Sequence, residues 1–114
     1  MVDDETVAEL LRDGLSDWLM LHDVVWASTR DDLNPETKRK TLRVLECLYS
    51  EGLMVPGDLG EAGLEDWPGE PAEWLRRSEA ELERLAWKPM GAGFWLRLSE
   101  AGEEIAREHV GKRP

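Results

Sequence analysis

The sequence predicts a helix-dominated α+β fold, a single domain with a small antiparallel sheet. Three observations carry this. The chain has 114 residues, room for one hydrophobic core and not two. Four stretches place apolar residues at helical spacing. One stretch, Gly93 to Ser99, alternates instead, with Phe94, Leu96 and Leu98 on one side and Trp95, Arg97 and Ser99 on the other, the pattern of a half-buried strand.

In chain order, the first helix is expected from Asp4 to about Trp18. Asp3 or Asp4 caps it, Glu5 suits the positive end of its dipole, and Val7, Leu10, Leu11 and Leu15 make one apolar face. Gly14 weakens its last turn. Trp18-Leu19-Met20-Leu21 is too short to assign by period: it either extends the helix or forms a short strand. His22 to Ser28 reads as a compact second helix burying Val24, Val25 or Trp26, and residues 29–35 as a polar turn.

The third helix, Asn34 to Glu51, has the clearest signals. Asn34 is a good N-cap, Pro35 fits the first helical position and Glu36 the first turn. Thr41, Leu42, Leu45, Leu48 and Tyr49 form an apolar stripe, and Gly52 falls where a left-handed cap is expected. Leu53-Met54-Val55 then reads as a short strand closed by the turn Pro56-Gly57-Asp58. Residues 56–70 hold four glycines and two prolines, a loop composition.

A fourth helix is expected from Pro71 to about Trp87, with Trp74, Leu75, Ser78, Leu82 and Leu85 on one side. On its surface Glu73–Arg77 and Arg77–Glu81 are spaced to pair. Ser99 caps a last helix, Glu100 to about His109, which buries Ala101, Ile105 and Ala106. The pattern also requires Leu53–Val55 and Phe94–Leu98 to pair antiparallel in one sheet.

Composition narrows the function classes. Lys plus Arg number 14 and Asp plus Glu 25, a net charge of −11 that opposes bulk attraction to polyphosphate. A hydrophobic fraction of 41% supports a packed core and argues against wholesale disorder. One cysteine excludes an internal disulfide framework and any multi-cysteine zinc site. No run approaches the length of a membrane span and the N-terminus is acidic, so no membrane contact and a cytoplasmic location are the expectation.

The acidity is uneven. Residues 1–28 carry a net −6 and residues 46–73 a net −8 with no base at all. Between them, residues 29–45 carry a net +2, with Lys38, Arg39, Lys40 and Arg43 near the start of the third helix. Such runs are usually solvated faces; the alternative is a local contact with phosphate or an acidic partner.

The order of elements resembles the winged helix-turn-helix superfamily. Two stretches carry the likeness: "LRVLECLYSEGLMVPGDL", Leu42 to Leu59, a helix running through Glu-Gly-Leu into a strand, and "FWLRLSEAGEEI", Phe94 to Ile105, a wing strand running into a closing helix. The chain is similar to small bacterial proteins of this shape. Its preference for Arg over Lys, ten to four, suits a GC-rich, actinobacterial genome. The resemblance implies a third helix that enters the major groove and a wing that contacts phosphates. The basic start of the third helix fits that role. The wing departs from it: Asp58, Glu61, Glu65, Asp66, Glu70 and Glu73 stand where bases belong, and a helix of about four turns is inserted. Winged-helix domains that have lost DNA binding commonly serve as protein-interaction modules, and this sequence resembles those more.

No constellation for catalysis is present. There is no Gly-x-Ser-x-Gly elbow, no GxGxxG and no phosphate-binding loop ending in Lys-Ser/Thr. His22 and His109 are far apart, and Glu104 and Glu108 share a helix face that His109 leaves, so no metal site and no cofactor is expected. Cys47, beside the apolar stripe of a helix, reads as a small buried hydrophobe. The six tryptophans are the unusual feature, more indoles than a core of this size is expected to hide. One reading is a Trp-rich core, since indoles are mostly buried; the other places Trp67, between Asp66 and Pro68 in the glycine-rich stretch, on a partner surface as its anchor.

These readings converge on a non-enzymatic protein-binding or regulatory module, of the immunity or antitoxin kind. Its expected contact residues are Trp67, Asp58, Glu61, Glu65, Asp66 and Glu70, and its partner a basic protein. The alternative is a homodimeric DNA-binding regulator using Lys38, Arg39, Lys40 and Arg43, dimerisation bringing two basic islands together.

Overall fold

The computed structural model describes residues 5–111, with side chains to His109. The expected caps Asp3 and Asp4 lie outside the described residues. The elements are helices α1 (Glu5–Gly14), α2 (Leu21–Thr29), α3 (Pro35–Ser50), α4 (Pro71–Arg84) and α5 (Glu100–Gly111) and strands β1 (Leu19–Met20), β2 (Met54–Gly60), β3 (Gly63–Asp66) and β4 (Trp95–Leu98). The strands form one antiparallel sheet in the order β1-β4-β2-β3.

Helix α3 is built as its sequence requires. The Thr37 N–H donates to Asn34 Oδ1 at 3.0 Å and the Asn34 N–H donates back to Thr37 Oγ1 at 2.9 Å, with Pro35 in the first turn. At the other end Gly52 takes φ +69°, and Leu53 N–H donates to Leu48 O while Gly52 N–H donates to Tyr49 O. This is the glycine-terminated cap that turns the chain into β2. Thr41, Val44, Leu45, Leu48 and Tyr49 face the core. The Tyr49 ring meets Trp74 of α4 edge-on at 5.7 Å, and its hydroxyl bonds Ser78 Oγ at 2.8 Å. Ser78 in turn donates to Trp74 O, so the buried phenol is the donor of that pair. Burial pushes the Tyr49 pKa well above its ordinary value.

The required sheet pairing is present: Met54 faces Leu98, Val55 faces Arg97 and Pro56 faces Leu96. Ser99 Oγ accepts from Gly102 N–H at 3.0 Å and starts α5. Gly102 is buried, and a Cβ there would run into the carbonyl oxygen of Leu53, so α5 sits on the entry to β2 through a bare Cα.

Several boundaries differ from expectation. The first helix stops at Gly14, and the ambiguous run holds the short strand β1. Pro56-Gly57-Asp58 is strand and not turn; the chain reverses at Glu61-Ala62, so the glycine-rich stretch is a β-hairpin. Pro56 is tolerated because its carbonyl accepts from Trp67 N–H on the β3 side, just past the end of that strand, so its missing N–H removes only an outermost bond. On α5, Ala101 is exposed, and Gly102 and Ala106 are the buried residues among those described. Helix α4 ends at Arg84, three residues early, because Ala86 and Trp87 turn left-handed at φ +54° and +60°.

Candidate functional site

Strand alternation divides the sheet into two faces. Leu19, Met54, Pro56 and Leu96 point inward and are buried. The residues between them, Met20, Val55, Trp95 and Arg97, with Leu59, Leu64 and Asp66 beyond on the hairpin, are half-buried or exposed. This outer face is apolar apart from one bridge. Arg97 donates to both carboxylate oxygens of Asp66 at 2.9 and 2.7 Å, reaching across β2 at Gly57, which has no side chain to block it. The bridge holds the Asp66 carboxyl below its usual range.

Trp18 stands at the margin of this face. Its ring edge comes within 3.7 Å of where a Cβ on Gly63 would sit, so the hairpin turn reaches it. It shares a shallow concavity with Leu15, Arg97, Leu98 and the α5 pair Glu103 and Arg107. Trp18 is 41% exposed and Leu59 53%.

The acidic residues singled out in the sequence fall into two groups. Asp58 and Asp66 are neutralised by bases from other elements. Arg77 of α4 donates to Asp58 Oδ2 at 3.1 Å, and Arg97 holds Asp66. Arg77 makes no direct ion pair with Glu73 or Glu81, though its charge still helps lower the Glu81 pKa: Glu73 reaches back to the Glu70 N–H, and Glu81 pairs with Arg84. Glu61, Glu65 and Glu70 are exposed and have no ion-pair partner among the described residues. The stretch lacks bases in sequence, but the fold supplies two.

Trp67 is not a surface anchor. It is 5% exposed, its Nε1–H donates to Asp58 Oδ2 at 3.0 Å, Phe94 lies 4.4 Å from its ring and the Arg77 guanidinium 3.9 Å. The ladder continues through its backbone and turns the indole under the hairpin. The exposed indoles are Trp18 and Trp26. Strand parity carries the signal for the outer face, since Trp95 and Arg97 fall on the solvent side of the Gly93–Ser99 alternation; the reach of the hairpin turn to Trp18 has no local signal.

The basic start of α3 does not form one patch. Successive helical residues point about 100° apart. Arg39 and Arg43 are exposed, on a stripe with Glu36, Glu46 and Ser50. Lys38 is half-buried with its Nζ 5.4 Å from the Trp87 ring, and Lys40 is half-buried. The exposed stripe thus holds two bases and two acids.

A groove of about 250 Å³ lies between α2 and the segment after α4, below the ~300 Å³ where ligand pockets usually begin. Trp26 and Met90 stand on its rim, 48% and 68% exposed, above Val25, Leu33 and Trp87. Among the described residues, every non-glycine with positive φ is in the two segments that frame it: Arg30, Asp31, Ala86, Trp87 and Met90. Its charged lining, Asp31 and Lys88, is of both signs and selects no ligand.

Cys47 is half-buried against the core. No helix among the described residues is long and apolar enough to cross a membrane. Comparison with family models, with curated proteins and with solved structures finds no match to this chain.

Proposed function

We propose that the chain is a non-enzymatic protein-binding module, a winged-helix relative that docks a basic protein on the outer face of its sheet and the acidic hairpin beside it. The observation that carries this reading is the juxtaposition of exposed Trp18 and Leu59 with the hairpin that carries Glu61 at its turn and Glu65 on its opposite side, two carboxylates without a paired base among the described residues. An indole and an apolar face supply the anchor, and free carboxylates at the rim steer a cationic partner. The kinship is supported by the element order, in which β1, between α1 and α2 in the chain, lies beside β4 and β2 in the sheet and α4 is inserted before the last strand. A neutralising role of the immunity or antitoxin kind suits a small protein of net charge −11.

The test is retention from native lysate by the wild-type chain and by the Trp18→Ala/Leu59→Ser variant. A basic protein held by the first and lost from the second is the expected result. The DNA reading has one observation in its favour, the exposed pair Arg39 and Arg43 on one face of α3. Retained duplex DNA, released by salt and lost in Arg39→Ala/Arg43→Ala, would replace the proposal with that reading.

A further inference from the structure

The hairpin leaves one edge of the sheet open. Strand β3 is last in the order β1-β4-β2-β3, and among the described elements its main packing partner is β2. The ladder fixes which backbone groups are free. Trp67 N–H donates to Pro56 O, so the polar groups of residue 67 point toward β2. In an antiparallel ladder this direction alternates: Glu65 also points toward β2, and the N–H and C=O of Leu64 and Asp66 point away from the sheet. No backbone partner for these four groups is present among the described residues.

The two faces beside this edge differ in chemistry. On the outer face Leu64 pairs with Leu59, which is 53% exposed. On the other face stands Glu65, exposed and without an ion-pair partner among the described residues; the nearby Arg77 guanidinium is held by Asp58, the carboxylate opposite it. Glu61 sits at the turn.

We infer that the partner binds by strand addition: an extended segment of a basic protein pairs antiparallel or parallel with β3, through the N–H and C=O groups of Leu64 and Asp66. Its side chains alternate, apolar residues lying beside Leu64 and Leu59 and Lys or Arg beside Glu65. Main-chain bonds supply affinity and the alternating sides supply selectivity. A short, acidic edge is also how proteins discourage indiscriminate pairing, and the same charge selects for a cationic strand. The inference rests on the protein-binding reading above and names its mode.

The experiment uses the full isotope-labelled chain and a six-residue peptide alternating Val and Lys with blocked ends. A second peptide carries N-methyl groups on alternate residues, which removes the donors of one edge. The expected result is that saturating first peptide slows amide exchange of Leu64 and Asp66 at least fivefold, and of no residue in α2 or α3. The methylated peptide leaves both amides unchanged, and Glu65→Lys weakens binding of the first peptide at least tenfold. Equal binding of both peptides, with exchange at Leu64 and Asp66 unaltered, overturns strand addition; if Glu65→Lys still weakens binding, the acidic surface stands and only the mode falls. No binding at millimolar peptide also overturns strand addition, while the lysate experiment decides the protein-binding reading separately.

Discussion

The fate of each indole follows from what its N–H and its two ring faces can reach. Trp67 has a carboxylate for its N–H, Phe94 against its ring and a guanidinium 3.9 Å from it. Trp18 is 41% exposed and borders a hairpin of glycines. Trp67→Ala is therefore expected to cost ~3–5 kcal/mol of folding free energy, the range for deleting a buried aromatic ring. Trp18→Ala should cost less than ~1 kcal/mol. Denaturant midpoints of the two variants check this; comparable losses would mean that Trp18 also belongs to the core. Trp67 escapes a sequence reading because Asp-Trp-Pro among glycines has the composition of a loop, and its three contacts lie 9, 10 and 27 residues away.

Asp66 is decided at the same scale. Its pKa is lowered first by the Arg97 hydrogen bonds, so the pair favours the folded state while the carboxylate is charged. That contribution is present above the unfolded carboxyl pKa of ~3.9 and is lost as pH falls through the lower folded value. Both side chains are more than a third exposed, 38% and 44%, so solvent screening limits the pair to well under ~1 kcal/mol. The carboxyl-carbon titration of Asp66 should have its midpoint below ~3.9 and move up in Arg97→Ala. An unmoved midpoint would show that the bridge does not persist in solution.

At the scale of elements, the helix ends separate what could be read from what could not. Gly52 announces the end of α3, because only glycine adopts φ +69° without strain. Helix α4 closes with the same hydrogen-bond pattern, Trp87 N–H to Leu82 O and Ala86 N–H to Glu83 O, but with Ala86 at the left-handed position. No glycine marks that end, so the apolar spacing invites the helix to run on to Trp87. Ala86→Gly should raise stability by ~1 kcal/mol, since it relieves the left-handed penalty of a side chain. A thermal midpoint a few degrees higher confirms it, and a lower one would contradict the φ of +54°. The hairpin was hidden for the opposite reason: Pro56, Gly57, Gly60 and Gly63 are all turn residues by type, yet Gly57 is buried within the sheet and its bare Cα avoids the Glu65 carbonyl.

For the whole molecule, the fold class and the central pairing of β2 with β4 were legible, because periodicity and caps are local. The surface was legible only as a sum of charges. Folding redistributes them: Arg77 and Arg97 come from distant elements to neutralise Asp58 and Asp66, and the four bases of α3 are turned in different directions. What remains is an acidic hairpin beside an apolar sheet face, with Glu61 at its turn and Glu65 on the opposite side of β3, both without an ion-pair partner among the described residues. A photo-crosslinking residue at position 59, compared with one at position 43, tests this surface directly in the producing cell. A covalent adduct with a basic protein is expected from position 59 and none from position 43. An adduct confined to position 43, with DNA or with protein, would contradict it and place the contact on α3.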